Sequence, residues 1–147
     1  MKRFHSTSEV FDFAIAKEIE AHDLYMELSA WAERPEVAQA FEDFSKEELR
    51  HKEKLEAIKA GNLILQDEQV ETLNIADSLK ATEPRANLTY AQALVLAMQR
   101  EKEAFKLYLQ LASMTQNPDI KHTLSMLAQE EARHKLRIEV EYDLTTF

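Results

Sequence analysis

Apolar residues recur every three or four positions along most of the chain, which is the spacing that places them on one face of an α-helix. One such stripe advances in steps of four and three through Val37, Phe41, Phe44, Glu48, His51, Leu55 and Ile58. Two residue pairs with helix-capping spacing, Ser6 with Glu9 and Thr89 with Gln92, indicate helix starts. The pattern predicts four helices, near residues 7–33, 35–60, 89–116 and 118–142.

Helix-breaking residues are few and separate the predicted helices. The chain has one glycine and three prolines; Pro35 and Pro118 lie at predicted helix starts, and Gly61 lies at a predicted helix end. Short links within each pair of helices make them antiparallel neighbours. The link between the pairs is long, about residues 61–88, and the segment LNIADSLK at 73–80 predicts a short helix within it.

The two predicted hairpins, about residues 7–60 and 89–142, repeat one sequence unit. The segment EIEAHDLYMEL, starting at Glu18, aligns without a gap to EKEAFKLYLQL, starting at Glu101, at an offset of 83 positions, and EELRHK recurs as EEARHK at the same offset. Packing explains shared leucine and alanine, but it does not explain shared glutamate and histidine. We expect a single all-α domain over residues 1–147, a four-helix bundle of two repeated hairpins joined by a long crossover.

Each predicted helix carries one carboxylate in the middle of its apolar stripe. These four acids are Glu18, Glu48, Glu101 and Glu131. A buried, unpaired carboxylate is costly and usually takes up a proton, and four of them together would repel one another. The inward positions hold no lysine or arginine to balance them. Two divalent cations would supply the four missing positive charges.

Two of these acids precede a histidine by three residues, in Glu48–His51 and Glu131–His134. Side chains three apart on a helix point the same way, so each pair could hold one ion. One Glu-x-x-His pair alone would favour a solvated surface pair. Two matched pairs, with one further glutamate from each other helix, form the ligand set of di-iron and di-manganese bundles. The sequence therefore predicts a two-metal site, with these ligands: Glu18, Glu48, His51, Glu101, Glu131 and His134.

The other repeated acids receive a different interpretation. They fall off the inward stripe and are interpreted as surface charges, available for a subunit contact: Glu20, Glu47, Glu103 and Glu130. His22 has Phe105 as its repeat mate, so we assign it to packing. Tyr25 and Tyr108 lie seven residues after Glu18 and Glu101, and each either forms an aromatic core layer or orients a metal-bound carboxylate through its hydroxyl. Their shared spacing favours the second role.

Composition narrows the classes of function. The formal net charge of −9 disfavours nucleic acid as a ligand, because phosphate backbones are repelled. The absence of cysteine excludes disulfides and thiolate metal sites. No secretory signal or apolar run of membrane-spanning length is evident, so we expect a cytoplasmic protein without a membrane partner.

These residues together resemble the ferritin-like superfamily and, within it, the rubrerythrin-related di-iron proteins. The resemblance covers nearly the whole chain and rests on EIEAHDLY from residue 18, ELRH from 48, EKEAFKLY from 101 and EARH from 131. It implies two iron ions, with manganese or zinc as alternatives. It also implies that Glu48 and Glu131 bridge the ions, that Glu18 and Glu101 bind terminally, and that His51 and His134 each ligate one ion.

Two departures from that family change what the resemblance implies. Full-length rubrerythrins carry a cysteine-rich rubredoxin module, so in this cysteine-free chain electrons would come from a separate donor such as a rubredoxin-type protein. Rubrerythrins also usually have a second glutamate where this chain has Ala104, and the remaining six ligands look more like the ferroxidase site of bacterioferritins. No fifth helix like that of ferritin cages is evident, so cage storage is not supported.

The sequence leads to three hypotheses about function. The leading hypothesis is an oxidoreductase that reduces hydrogen peroxide or oxygen at the di-iron site. The alternative is a non-enzymatic iron-binding or storage protein with a ferroxidase-like site, and the third is a metal-free helical interaction module. The resemblance implies a homodimer, with exchange of hairpins through the crossover as a further option.

Overall fold

A computed structural model of the chain describes residues 6–61 and 88–146, and these residues form four α-helices without any strand. The helices are α1 (Thr7–Trp31), α2 (Pro35–Ala60), α3 (Tyr90–Met114) and α4 (Pro118–Thr146). All four predicted helices are confirmed, and α4 continues four residues past its predicted end at 142. The predicted short helix at 73–80 lies outside the described residues.

Both capping signals read from the sequence form at helix starts. The Ser6 hydroxyl accepts a hydrogen bond from the Glu9 backbone N–H at 3.2 Å. At the start of α3, the Gln92 backbone N–H donates to Thr89 Oγ1 at 3.1 Å, and the Thr89 backbone N–H donates to Gln92 Oε1 at 2.9 Å. Each cap satisfies backbone donors that the first helical turn leaves without a partner.

The helices pack as two hairpins, α1 along α2 and α3 along α4, which meet through α1 against α3 and α2 against α4. One apolar cluster joins the start of α1 and the end of α2 with the end of α3 and the start of α4, and contains Phe11, Leu55, Leu111 and Leu124. A second cluster joins the opposite halves of the helices, and contains Leu28, Phe41, Leu94 and Ile138. Consequently α1 runs antiparallel to α3, and α2 ends at the opposite end of the bundle from the start of α3, as a long crossover requires.

A buried carboxylate joins three parts of the chain at the end of the bundle that contains the second apolar cluster. Glu141 of α4 is 4% exposed; it accepts a hydrogen bond from Arg34 Nη2 at 2.5 Å and another from the Tyr90 hydroxyl at 2.9 Å. This carboxylate therefore ties the α1–α2 link, the start of α3 and the end of α4 together. None of the helices in residues 6–61 and 88–146 is long and apolar enough to cross a membrane.

Candidate metal centre

A layer of charged side chains lies between the two apolar clusters, at the middle of the bundle. The six predicted ligands all belong to it, and none exposes more than 2% of its surface: Glu18, Glu48, His51, Glu101, Glu131 and His134. Each sits on the apolar stripe of its helix, so burying that stripe also buries the acid or histidine. Helix periodicity thus brings groups from all four helices to one place.

Within the described part of the chain, the six side chains form two overlapping groups of four possible ligand atoms. The atoms of each group all lie within 4.8 Å of one another. One group consists of Glu18, Glu48, His51 and Glu131, and the other of Glu48, Glu101, Glu131 and His134. Glu48 and Glu131 belong to both groups, which is the arrangement that two neighbouring cations sharing two carboxylates would need.

The two histidines present the same ring nitrogen to the acids. Nδ1 of His51 lies 3.1 Å from Glu131 Oε1 and 3.2 Å from Glu48 Oε1. Nδ1 of His134 lies 3.4 Å from Glu101 Oε2 and 3.5 Å from Glu48 Oε1. The ring centroids are 6.2 Å apart and the rings are inclined by only 12°. The two halves of the centre therefore repeat in space as they do in sequence.

The atoms that face the middle of this layer have no hydrogen-bond partner. They are Glu18 Oε2, Glu48 Oε1 and Oε2, His51 Nδ1, Glu101 Oε2, Glu131 Oε1 and His134 Nδ1. Buried polar atoms in native proteins almost always have a partner, so seven such atoms in one place require an explanation. Carboxylate oxygens and imidazole nitrogens are ligands that suit iron, manganese and zinc. The donor set thus fits a pair of such ions.

Without a cation, the site retains protons instead. Burial raises the pKa of Glu48 well above its usual value, and the charge of Glu131 adds to the rise. Burial, followed by the charge of Glu101, raises the pKa of Glu131 to about 8. Burial lowers the pKa of His51, but the adjacent carboxylates of Glu131 and Glu18 outweigh it and raise this pKa to about 11. The charged carboxylates are therefore unfavourable as a group unless positive charge accompanies them.

One further carboxylate contacts the outer nitrogen, Nε2, of each histidine. Glu130 Oε2 of α4 lies 2.6 Å from His51 Nε2 of α2. Glu47 Oε2 of α2 lies 3.3 Å from His134 Nε2 of α4. A carboxylate in this position fixes a histidine with Nε2 protonated and Nδ1 free to ligate a metal. The interpretation of Glu47 and Glu130 as surface charges is therefore wrong, because both are partly buried against a histidine of the opposite hairpin.

Comparison with known proteins identifies the family and the fold of the chain. The family model of rubrerythrin matches residues 9–142. The chain belongs to the rubrerythrin family. A crystal structure of a ferritin-like diiron-carboxylate protein from Thermotoga maritima is similar to this rubrerythrin-family chain, with a TM-score of 0.76 and 20% sequence identity over 99% of this chain and 100% of that one. The match confirms the ferritin-like fold. No curated protein matches the chain.

Each of the two tyrosines of this rubrerythrin-family protein lies close to the acid of the neighbouring helix, and not to the acid of its own helix. The Tyr108 hydroxyl of α3 donates a hydrogen bond to Glu18 Oε1 of α1. Tyr25 of α1 is 1% exposed, and its pKa is raised well above the usual value by burial and then by the charge of Glu101 of α3. The Tyr25 hydroxyl lies close to the Glu101 carboxylate but forms no hydrogen bond of normal geometry to it. The two phenols are thus related by the repeat but differ in bonding.

The other residues singled out in the sequence lie outside the ligand groups. Nδ1 of His22 is 2.9 Å from the Ser45 carbonyl oxygen, so this histidine links α1 to α2. The Glu20 side chain is 40% exposed and pairs with Lys17 and Arg100 at 3.3 Å, as the surface interpretation predicted.

A narrow pocket between α1 and α3 leads toward the acids of this rubrerythrin-family site. Its apolar wall includes Phe13, Ala14, Ala21, Ala104 and Leu107. Its polar lining consists of Lys17, Glu18, Arg100, Glu101, Glu103, Tyr108 and Glu131. The pocket therefore lies on the side of the centre away from the α2 and α4 histidines, and Ala104, standing where rubrerythrins usually have glutamate, helps to keep it open.

Proposed function

We propose that this rubrerythrin-family protein is a di-iron oxidoreductase that reduces hydrogen peroxide or oxygen with electrons from a separate partner. One observation carries the proposal: Glu48 and Glu131 each belong to both ligand groups. A single cation would need only one group of four. A buried set that shares two carboxylates supports a pair of cations held side by side, and iron is a redox-active metal that this donor set suits.

The ligand roles follow from membership of the groups. Glu48 and Glu131 would contribute to both metal positions, because each belongs to both groups. Glu18 and His51 would complete one position, and Glu101 and His134 would complete the other. Manganese and zinc fit the same donors, so the proposal for iron is tested by metal analysis as well as by reactivity.

A bound ferrous pair supplies two electrons at one place, the number that reduction of one hydrogen peroxide to two waters consumes together with two protons. The chain's own residues prepare this site for that chemistry. The four buried carboxylates would balance the four positive charges of two divalent ions. Tyr108 holds Glu18 in place, and the apolar clusters above and below the layer exclude bulk water. Protons would enter from solvent through the pocket.

The pocket supports a small, uncharged oxidant. Alanine and other apolar side chains form much of its wall, which suits hydrogen peroxide or oxygen better than a charged substrate. Lys17 and Arg100 lie at the pocket and are both paired with Glu20. A route lined in this way would admit small neutral molecules to the side of the ions that the histidines leave open.

Electrons would come from another protein, because the chain contains no cysteine with which to build a rubredoxin-type centre. A rubredoxin-type protein is the donor that we propose. A reductase assay with purified rubredoxin and its reductase, run against hydrogen peroxide, measures this step directly.

Stopped-flow mixing of the anaerobic di-ferrous protein tests the proposal. We expect oxidation by hydrogen peroxide to be much faster than oxidation by oxygen, and repeated cycles when reductant is added. Equal rates with many irons accumulating per chain would instead support storage. Metal content that is unchanged in the Glu48→Ala and Glu131→Ala variants would support the metal-free interaction module and contradict both iron functions.

A further inference from the structure

The two histidines of the centre receive unequal support from the carboxylates behind them. Glu130 and Glu47 occupy matching positions of the sequence repeat, each directly before a bridging glutamate. Yet Glu130 Oε2 lies 2.6 Å from His51 Nε2, whereas Glu47 Oε2 lies 3.3 Å from His134 Nε2. The first distance is that of a short, charge-assisted hydrogen bond, and the second is that of a weak one.

An arginine accounts for the difference. Arg133 Nη2 donates a hydrogen bond to Glu47 Oε1 at 2.5 Å, so Glu47 divides its negative charge between a guanidinium and a histidine. The repeat mate of Arg133 is Arg50, which is also exposed. Among the residues that the structure describes, no lysine or arginine pairs with Glu130 as Arg133 pairs with Glu47. The repeat therefore places the same residue types in two different electrostatic settings.

This difference acts on metal binding through the imidazole ring. A histidine that ligates a cation through Nδ1 keeps its proton on Nε2 and donates it to the carboxylate behind. A strong acceptor at Nε2 increases the electron density at Nδ1 and holds the ring in orientation, and the loss of such a partner typically weakens metal affinity by about 10–100-fold. A guanidinium on the acceptor acts in the opposite direction, because it withdraws charge from the carboxylate and repels the incoming cation.

We propose that the two metal positions are unequal: the His51 position binds a divalent cation more tightly and fills first, and Arg133 is the positioning residue that weakens the His134 position. Arg133 lies outside the ligand set and reaches the site only through Glu47. The expected difference between the two positions is on the order of tenfold in affinity, the lower end of the range for such outer partners.

Titration of the metal-free full-length protein with cobalt(II) tests the order of filling. We expect calorimetry and visible absorption to resolve two binding steps of unequal affinity. His51→Ala should abolish the tighter step, and His134→Ala should abolish the weaker one while the tighter step remains. A single step for two equivalent ions, or loss of the tighter step in His134→Ala, would overturn the proposal. Far-ultraviolet circular dichroism establishes that each variant retains its helices.

The repeat provides a matched pair of variants for the role of the arginine. Arg133→Gln should strengthen the weaker step several-fold and leave the tighter step unchanged, whereas Arg50→Gln should change neither. Both side chains are exposed, the Arg133 side chain by 55%, so neither variant should disturb folding. Identical titrations for Arg133→Gln and the unmodified protein would contradict the proposal. This inference rests on the proposed two-metal site: two equivalent binding steps would overturn it and leave the redox function standing, whereas the absence of any cobalt binding would contradict both.

Discussion

The Tyr108 hydroxyl of α3 donates a hydrogen bond to Glu18 of α1, so a phenol of the second hairpin orients an acid of the first. Both side chains are almost completely buried, with exposures of 1% and 2%. The bond leaves the second Glu18 oxygen, Oε2, without a hydrogen bond and facing the other ligand atoms. Tyr108 therefore determines which oxygen of Glu18 is available to a cation.

Removing this hydroxyl should weaken metal binding and folding together. Tyr108→Phe leaves a buried acceptor unsatisfied, which costs about 1–3 kcal/mol in the free energy of unfolding of the metal-free protein. We expect cobalt affinity at the Glu18 position to fall by about tenfold, since the carboxylate loses its outer partner. Chemical denaturation and calorimetric titration measure the two effects.

Tyr25→Phe is the control for that variant. Tyr25 is equally buried and is the repeat mate of Tyr108, but its hydroxyl forms no hydrogen bond of normal geometry, although the Glu101 carboxylate lies close to it. Its loss should change stability and affinity much less. Equal losses in the two variants would show that the hydrogen bond to Glu18 is not the cause, and no loss in either would show that the phenols act through packing alone.

Replacing Glu48, which belongs to both ligand groups, by a neutral residue should stabilise the metal-free protein and weaken metal binding. Burial and the neighbouring acids raise the pKa of Glu48, which means that its charge is unfavourable in the metal-free bundle. Glu48→Gln should therefore raise the thermal midpoint of the metal-free protein, most clearly above neutral pH, and should prevent binding of two ions. Elemental analysis and thermal unfolding with and without cobalt would reveal both changes. Glu20→Gln, on a half-exposed ion pair, should stay within about 0.5 kcal/mol of the unmodified protein.

The metal-free protein should lose stability as pH rises. Glu131 has a folded pKa of about 8 against an ordinary 4.5, and His51 one of about 11 against 6.5, so the folded state binds more protons than the unfolded state. Their contributions are fully present below pH 4.5 and 6.5 and are lost as pH rises through 8 and 11. Glu47, whose pKa its hydrogen bond to His134 lowers to about 2, contributes stability that is lost as pH falls from 4.5 to 2.

We therefore expect the stability of the metal-free protein to be greatest near pH 4.5, to fall above that pH as the Glu131 contribution is lost, and to fall more steeply above pH 6.5, where the His51 contribution is lost as well. Cations displace these protons, so the stabilisation by added zinc should be larger at pH 8 than at pH 5.5. Thermal unfolding at several pH values, with zinc or with a chelator, gives both curves. A metal-free midpoint that rose steadily from pH 5.5 to 8.5 would be inconsistent with protons held in the acid layer.

Narrowing the pocket between α1 and α3 should slow oxidation without affecting metal loading. Ala104 lines this pocket but belongs to neither ligand group. Ala104→Leu should reduce the rate at which hydrogen peroxide oxidises the di-ferrous protein several-fold, with cobalt stoichiometry unchanged. Ala132→Leu makes the same replacement on the exposed face of α4 and should have no effect on the rate. Equal rates in all three proteins would mean that the oxidant enters elsewhere.

Periodicity within single helices was sufficient to predict the helices and the buried acid layer. The stripe through Phe41, Glu48 and Leu55 identifies an inward face without reference to any other helix, and capping residues mark where α1 and α3 begin. The structural match confirms the ferritin-like bundle. The metal ligation, the homodimer, the electron donor and the cytoplasmic location stay predictions.

The periodicity of single helices could not predict which side chains of different helices contact each other. Glu47 and Glu130 lie one position before Glu48 and Glu131, about 100° around the helix, and the pattern of a single helix places such positions outside the core. Their partners belong to the opposite hairpin, so only the packing of α2 against α4 brings them to His134 and His51. The signal in the sequence was their recurrence at the repeat offset, which marked them as more than solubilising charges.

Neither hairpin contains a complete ligand group. The first supplies three donors of one group and needs Glu131 from the second, and the second needs Glu48 from the first. An ion in either position would therefore act as a non-covalent cross-link between the two halves. Removing the ions would then weaken the interface between the two hairpins before either hairpin unfolded. Faster hydrogen exchange of backbone amides at that interface would reveal the change.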